Sequence, residues 1–119
     1  MISTAEDCIF CKIVSGEIPA DKVGETEHTV AFRDINPQAP THVLVVPKVH
    51  QPDIASLAAA EPEVAVALLQ ETQRVANDEA GGSYTLLFNT GADSFQTVFH
   101  CHGHVLAGFD TLHFPAATN

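Results

Sequence analysis

In Phe99-His100-Cys101-His102-Gly103-His104-Val105-Leu106-Ala107-Gly108, histidine recurs at every second position. Alternate residues of a strand face one side, so a strand here lines up three imidazoles about 6.5–7 Å apart. That face is a poor surface for a core and a good one for chemistry. An exposed polar strand face is the plain alternative, but three histidines in register between apolar neighbours favour a site.

A chain of 119 residues supports one compact domain, here expected over 1–119 with a short flexible N-terminus (about 1–6) and a C-terminal tail (about 110–119). With 45% hydrophobic and 17% charged residues, a core can form and overall disorder is not expected. No apolar run approaches a membrane span, and Met1-Ile2-Ser3-Thr4-Ala5-Glu6-Asp7 lacks the regions of a signal peptide, so a cytoplasmic protein is expected.

Formal net charge is −10, and the five cations, Lys12, Lys22, Arg33, Lys48 and Arg74, are scattered. Polynucleotides and anionic membranes need clustered cations and are not expected partners. Any phosphate at the histidine stretch must be held by imidazoles, hydroxyls and backbone N–H groups, which suits one small phosphate ester.

Residues 8–14 read as a short helical or turn element stopped by Ser15-Gly16 and Pro19. Lys22 to Glu25 and His28 to Arg33 form a hairpin signal. The loop Asp34 to Thr41 leads into His42-Val43-Leu44-Val45-Val46-Pro47, a strand buried on both faces, with His42 at its mouth and His50 past its end. Residues 61–77 read as the main helix, with Val64, Ala65, Leu68, Leu69, Thr72, Val75 and Ala76 as its core stripe and Gly81-Gly82 as its stop. A β-rich run at 83–89 and a loop at 90–94 precede the histidine strand. Together these segments predict an α+β fold on a largely antiparallel sheet.

Cys8-Ile9-Phe10-Cys11 has a spacing that suits metal binding or redox chemistry. A redox reading needs a preceding strand, and only seven residues come before Cys8. With His50 and His100 as nitrogen donors the pair completes a Cys₂His₂ set, which makes a closed, structural zinc site. A free Cys8 and a small buried Cys11 are the alternative. At the central histidine, a neutral imidazole is a competent nucleophile toward phosphorus, and water then hydrolyses the phosphohistidine. His104 and His42 are candidates for holding phosphoryl oxygens and fixing the tautomer, and the Thr97 hydroxyl for serving the leaving group. Asp34, at a strand end, either accepts ribose hydroxyls or forms an Asx turn, and Asn89 has the same ambiguity.

His100-Cys101-His102-Gly103-His104-Val105-Leu106 fits the His-φ-His-φ-His-φ-φ signature, φ being apolar, of the histidine-triad nucleotide hydrolases and transferases. Ile9-Phe10-Cys11-Lys12-Ile13, Gly16-Glu17-Ile18-Pro19-Ala20, Asp34 to His42, Gln96-Thr97-Val98-Phe99 and the tail Leu112-His113-Phe114-Pro115 resemble its HINT-like branch. The resemblance implies a five-stranded antiparallel sheet with two helices, continued across a homodimer. It implies His102 as the adenylylated nucleophile, His104 on the phosphate, and His42 supporting His102. It further implies Asp34 on the ribose, Phe10, Ile13, Phe32 and Ile35 around the purine, and Asn89, Thr97 and Val98 along the phosphate. In zinc-containing bacterial-type relatives the metal ligands match Cys8, Cys11, His50 and His100.

The chain departs from the pattern at Cys101 and Gly103, where branched aliphatics are usual. Thr97 stands for the common serine, Phe95 stands where a glycine is usual, and Arg33 lies beside Asp34. The implied activity is hydrolysis of purine nucleoside phosphoramidates and related conjugates, with AMP or GMP as product and no organic cofactor. A dinucleoside polyphosphate hydrolase, a nucleotidyl transferase and a non-catalytic nucleotide- or metal-binding module stay open.

Overall fold

The computed structural model describes residues 7–110. The N-terminus expected at 1–6 and the tail residues Leu112 to Pro115 lie outside the described residues. Helix α1, Ile9–Val14, is capped by Cys8, whose Sγ accepts from the Cys11 N–H at 3.4 Å. Strands β1, Lys22–Glu25, and β2, Thr29–Arg33, form the expected hairpin. Its turn is fixed by the Thr26 hydroxyl, which accepts from the N–H groups of His28 and Thr29. Strand β3 spans Thr41–Pro47 and is buried from His42 onward.

Helix α2, Ile54–Ala60, was not expected; Asp53 caps it by accepting from the Ser56 N–H at 2.8 Å. Helix α3, Pro62–Ala80, begins with Pro62 and ends at Gly81 in the left-handed conformation. The implied two helices are therefore three. Strand β4, Thr85–Leu87, and strand β5, Gly103–Ala107, complete an all-antiparallel sheet of order β1-β2-β3-β5-β4. Among the described residues no helix is long and apolar enough to cross a membrane.

Side-chain alternation divides the core. Val43, Val45 and Val105 face α2 and α3, packing with Leu57, Val64, Leu68 and Val75. Leu44 and Val46 face the other way, with Val30, Phe32, Cys8, Phe10 and Ile13. His42 and His104 share the parity of Leu44, so both project from the α1 face; because Leu44 pairs with His104 and His42 with Leu106, the two histidines are diagonal neighbours.

The histidine run differs from the expected strand in one respect. Pairing begins only at Gly103, so His100 and His102 stand on its lead-in. There the Cys101 N–H leaves the sheet and donates to Gln51 O at 2.7 Å. Leu69, assigned above to the core stripe, is 46% exposed. Glu71 is buried instead, clamped by the Arg74 guanidinium at 2.7 and 2.8 Å in a space that only a glycine at position 24 leaves open.

Gly103 has a packing reason. A Cβ there would lie 3.0 Å from Phe88 Cζ and 3.1 Å from Leu86 Cδ1, so these side chains already fill the volume a branched aliphatic would occupy. Gly103→Val is expected to cost about 1–3 kcal/mol by overpacking. Urea denaturation should show Phe88→Leu restoring part of that loss in the double mutant. A Gly103→Val midpoint equal to the parent's would contradict this packing account.

Candidate functional site

The histidine tautomers follow from donors that have no choice. The Gln38 backbone N–H donates to His42 Nδ1 at 3.0 Å, so the proton of neutral His42 sits on Nε2. Nε2 faces His104 Nδ1 at 2.9 Å, which must accept, leaving the His104 proton on its Nε2. The His100 carbonyl can only accept, so His102 donates to it from Nδ1 at 2.7 Å and keeps a free lone pair on Nε2.

Burial holds all three rings neutral at pH 7. It pushes His104 down to about 3, with His102 and His42 opposing a second positive charge. Burial likewise lowers His102, although its bond to the His100 carbonyl pulls the other way. His42 is lowered by burial against the pull of Asp34, whose Oδ2 lies 3.4 Å from His42 Nε2. The cluster therefore presents one imidazole acceptor, on His102, and one imidazole donor, on His104.

Two cavities meet at Asp34, Thr97, His102 and His104. The larger, about 290 Å³, is walled by Phe10, Ile13, Phe32, Leu44, Ile35 and Val98. The smaller, about 220 Å³, adds His42, Asn89 and Phe95. Ile35 is 92% exposed at the rim, and the Phe10 ring meets His102 edge-on at 5.0 Å between centroids.

Asp34 forms the Asx turn, its Oδ1 accepting from the Asn36 N–H at 2.8 Å, and it also lines both cavities. Asn89 donates to Ser94 O at 3.0 Å and so braces the loop beside the smaller cavity. Strand alternation turns Arg33 away from Asp34, to Glu79 of α3 at 2.6 Å and Asp21 at 3.2 Å. The structure sets His42 against His104, whereas the His102 tautomer is held by the His100 carbonyl.

Sequence reasoning missed Gln96. It is buried, donates to Pro52 O at 2.6 Å and Val98 O at 3.0 Å, and accepts from the Gly91 N–H at 2.8 Å. A glutamine in a loop carries no sequence signal for such a brace.

Cys8, Cys11, His50 and His100 bring two sulfurs and two nitrogens within 4.8 Å of one another. Cys11 Sγ lies 3.2 Å from His50 Nδ1 and 3.4 Å from His100 Nδ1, Cys8 Sγ lies 3.4 Å from His100 Nδ1, and the two Nδ1 atoms are 3.2 Å apart. A tetrahedral zinc with bonds of about 2.3 Å to sulfur and about 2.0 Å to nitrogen has donor–donor edges of about 3.3–3.8 Å, close to this set. His100 Nε2 donates to Pro47 O at 2.8 Å, which leaves Nδ1 free to ligate. Among the described residues His50 Nε2 is buried with no hydrogen-bond partner, while its Nδ1 faces the Cys11 sulfur and His100 Nδ1. The donors fit a tetrahedral ion.

Asp34, His42 and His104 form a second close set of donors, but of another kind. His42 and His104 approach at 2.9 Å with ring centroids 5.2 Å apart. His50 and His100 have the longer N···N distance, 3.2 Å, yet the shorter centroid separation, 5.0 Å. The first pair meets end-on, as a hydrogen bond does; the second converges on a point to one side, as metal ligands do.

A family model described as the HIT domain matches residues 15–111. The chain belongs to the HIT family. Among HIT relatives, the purine nucleoside phosphoramidase of Escherichia coli K12 is 38% identical over 106 residues, covering 87% of this chain and 89% of that protein. A 14 kDa zinc-binding protein of Zea mays is 44% identical over 104 residues, covering 84% and 80%. A HIT family hydrolase from Clostridium thermocellum superposes with a TM-score of 0.85 at 38% identity, covering 92% of this chain and 97% of that one. The recognition made from the triad and the five-stranded antiparallel fold are thus both borne out.

Proposed function

We propose that this HIT protein hydrolyses purine nucleoside phosphoramidates and related nucleoside phosphate conjugates through a nucleotidyl-His102 intermediate, releasing a nucleoside monophosphate of AMP or GMP type. The observation that carries the reading is the His102 tautomer: Nδ1–H is committed to the His100 carbonyl, and Nε2 offers its lone pair where two cavities meet. Likeness to the Escherichia coli phosphoramidase supports the substrate class.

In the first step His102 Nε2 forms a bond to phosphorus and the bond to the leaving nitrogen breaks. That nitrogen departs with the electron pair and takes a proton from solvent, relayed by the Thr97 hydroxyl, which regains its own. His102 becomes an imidazolium whose Nδ1–H is stabilised by the His100 carbonyl. His104 Nε2–H donates to a phosphoryl oxygen, its orientation set by His42 and, behind that, the Gln38 N–H. In the second step water attacks phosphorus, gives up a proton along the same route, and the electron pair returns to Nε2.

Asp34 accepts the ribose hydroxyls, and Phe10, Ile13, Phe32, Ile35 and Val98 enclose the purine, with Asn89 steadying the phosphate loop. Cys8, Cys11, His50 and His100 hold a structural zinc, which fastens the start of α1 to the segment leading into the catalytic strand. The chain acts as a single HIT domain in the cytoplasm.

It works as a homodimer whose sheet continues past β4. That strand lies at the sheet edge, and beside it Leu69 is exposed on the α3 face where the hydroxyls of Thr72 and Tyr84 lie 3.3 Å apart.

Side-by-side kcat/KM values on adenosine 5′-phosphoramidate and diadenosine tetraphosphate test the reading. At least a tenfold preference for the phosphoramidate is expected. A reversed preference would point to a dinucleoside polyphosphate hydrolase, and no turnover of either would point to a binding module.

A further inference from the structure

A nucleoside phosphoramidate bound for attack by His102 needs two places, one for the nucleoside and one for the departing amine. The larger cavity, with its apolar walls, suits the nucleoside. The smaller shares Asp34, Thr97, His102 and His104 with it, contains none of Phe10, Ile13 or Phe32, and is the space left for the amine. Its one large apolar wall is Phe95.

Phe95 occupies that wall against its own backbone preference. It ends the turn Ala92–Ser94 at φ 70 and ψ 23, donating its N–H to Ala92 O at 3.1 Å. The other described residues with positive φ, at 16, 81, 82, 91 and 108, are glycines, and a bulky side chain is strained in this region. Phe95 is also 56% exposed and belongs to neither core cluster, so core packing does little to offset the strain. The loop that carries it is braced at Asn89, Gly91 and Gln96, which fixes the Phe95 backbone beside the triad.

We infer that Phe95 is a specificity-determining residue for the leaving group, offering a flat apolar face on which an aromatic amine stacks as it departs. The chain then prefers phosphoramidates of aryl-bearing amines to those of small alkyl amines. The inference rests on the phosphoramidase reading above. It concerns the amine side of the substrate, which the nucleoside pocket leaves open.

The experiment compares adenosine 5′-phosphoramidates of benzylamine and methylamine in the parent, Phe95→Gly and Phe95→Tyr. The ratio of kcat/KM, benzyl over methyl, is expected to fall about tenfold in Phe95→Gly, mainly through KM, and to persist in Phe95→Tyr. Glycine suits the left-handed conformation, so Phe95→Gly should melt no lower than the parent. A Phe95→Gly ratio within twofold of the parent's, with both substrates turned over, overturns the role of Phe95 alone. If the parent hydrolyses neither substrate, the phosphoramidase reading falls and the inference with it.

Discussion

His102→Ala is expected to lower kcat on an adenosine phosphoramidate by about 10³–10⁵-fold, the range seen when a covalent catalyst loses its nucleophile. No neighbour can substitute. His104 carries its proton on Nε2 and spends Nδ1 on His42, and His42 is engaged on both nitrogens. The loss should be chemical rather than structural, because the ring's contacts are an edge-on approach to Phe10, a similar one to His104, and one bond to the His100 carbonyl. His102→Asn, which retains a donor for that carbonyl, should be equally inactive with an unchanged melting temperature. His104→Gln should cost less, about 10²–10³-fold, because it removes one oriented donor and leaves the nucleophile in place. Steady-state kinetics on the three variants checks the order. A His102→Ala enzyme within tenfold of the parent would remove the nucleophile from the account.

The second large effect is on the fold. Cys8→Ser and Cys11→Ser are each expected to abolish tight binding of one zinc per chain and to lower the unfolding free energy by about 3–5 kcal/mol, a large share of a small domain's stability. Without a metal, burial and the Cys8 thiol push Cys11 up to about 11, so the metal must displace a proton as it binds, and affinity should rise with pH. His102→Ala and His104→Ala should keep the zinc, since neither belongs to the converging set. Elemental analysis and urea denaturation read both effects. The loss should extend to catalysis, because His100, whose Nδ1 faces the Cys11 sulfur, also holds His102 through its carbonyl. Loss of zinc from His102→Ala, or equal stability of stripped and loaded parent, would contradict the division into a structural and a catalytic set.

The histidine alternation was legible because period two is a geometric property of strands, and it carried the family. The uniformly apolar run after His42 revealed the central strand for another reason, its burial on both faces. What escaped the sequence depends on contacts between distant segments. Helix α2 had its local signals, an Asp53 cap and Pro62 beyond its end, but seven residues show too little amphipathic period to declare themselves. Glu71 is buried because Arg74 and the bare backbone at Gly24 create an ionic pocket that no helical wheel contains. Gly103 was visible as a departure, yet its reason, the Leu86 and Phe88 side chains, exists only in three dimensions, as does the left-handed backbone that Phe95 adopts against its preference. The partner of His42 likewise depends on the β3–β5 register, which no spacing along the chain specifies.

The central claim is that the His102 Nε2 lone pair forms a bond to phosphorus, and the covalent intermediate is its most direct test. The protein is mixed with an adenosine phosphoramidate, quenched within milliseconds in alkaline denaturant, and its intact mass and peptides are measured. The account predicts one added adenylyl group per chain, mapped to His102 and absent from His102→Ala. Rapid turnover with no adduct, or an adduct on another residue, would contradict it.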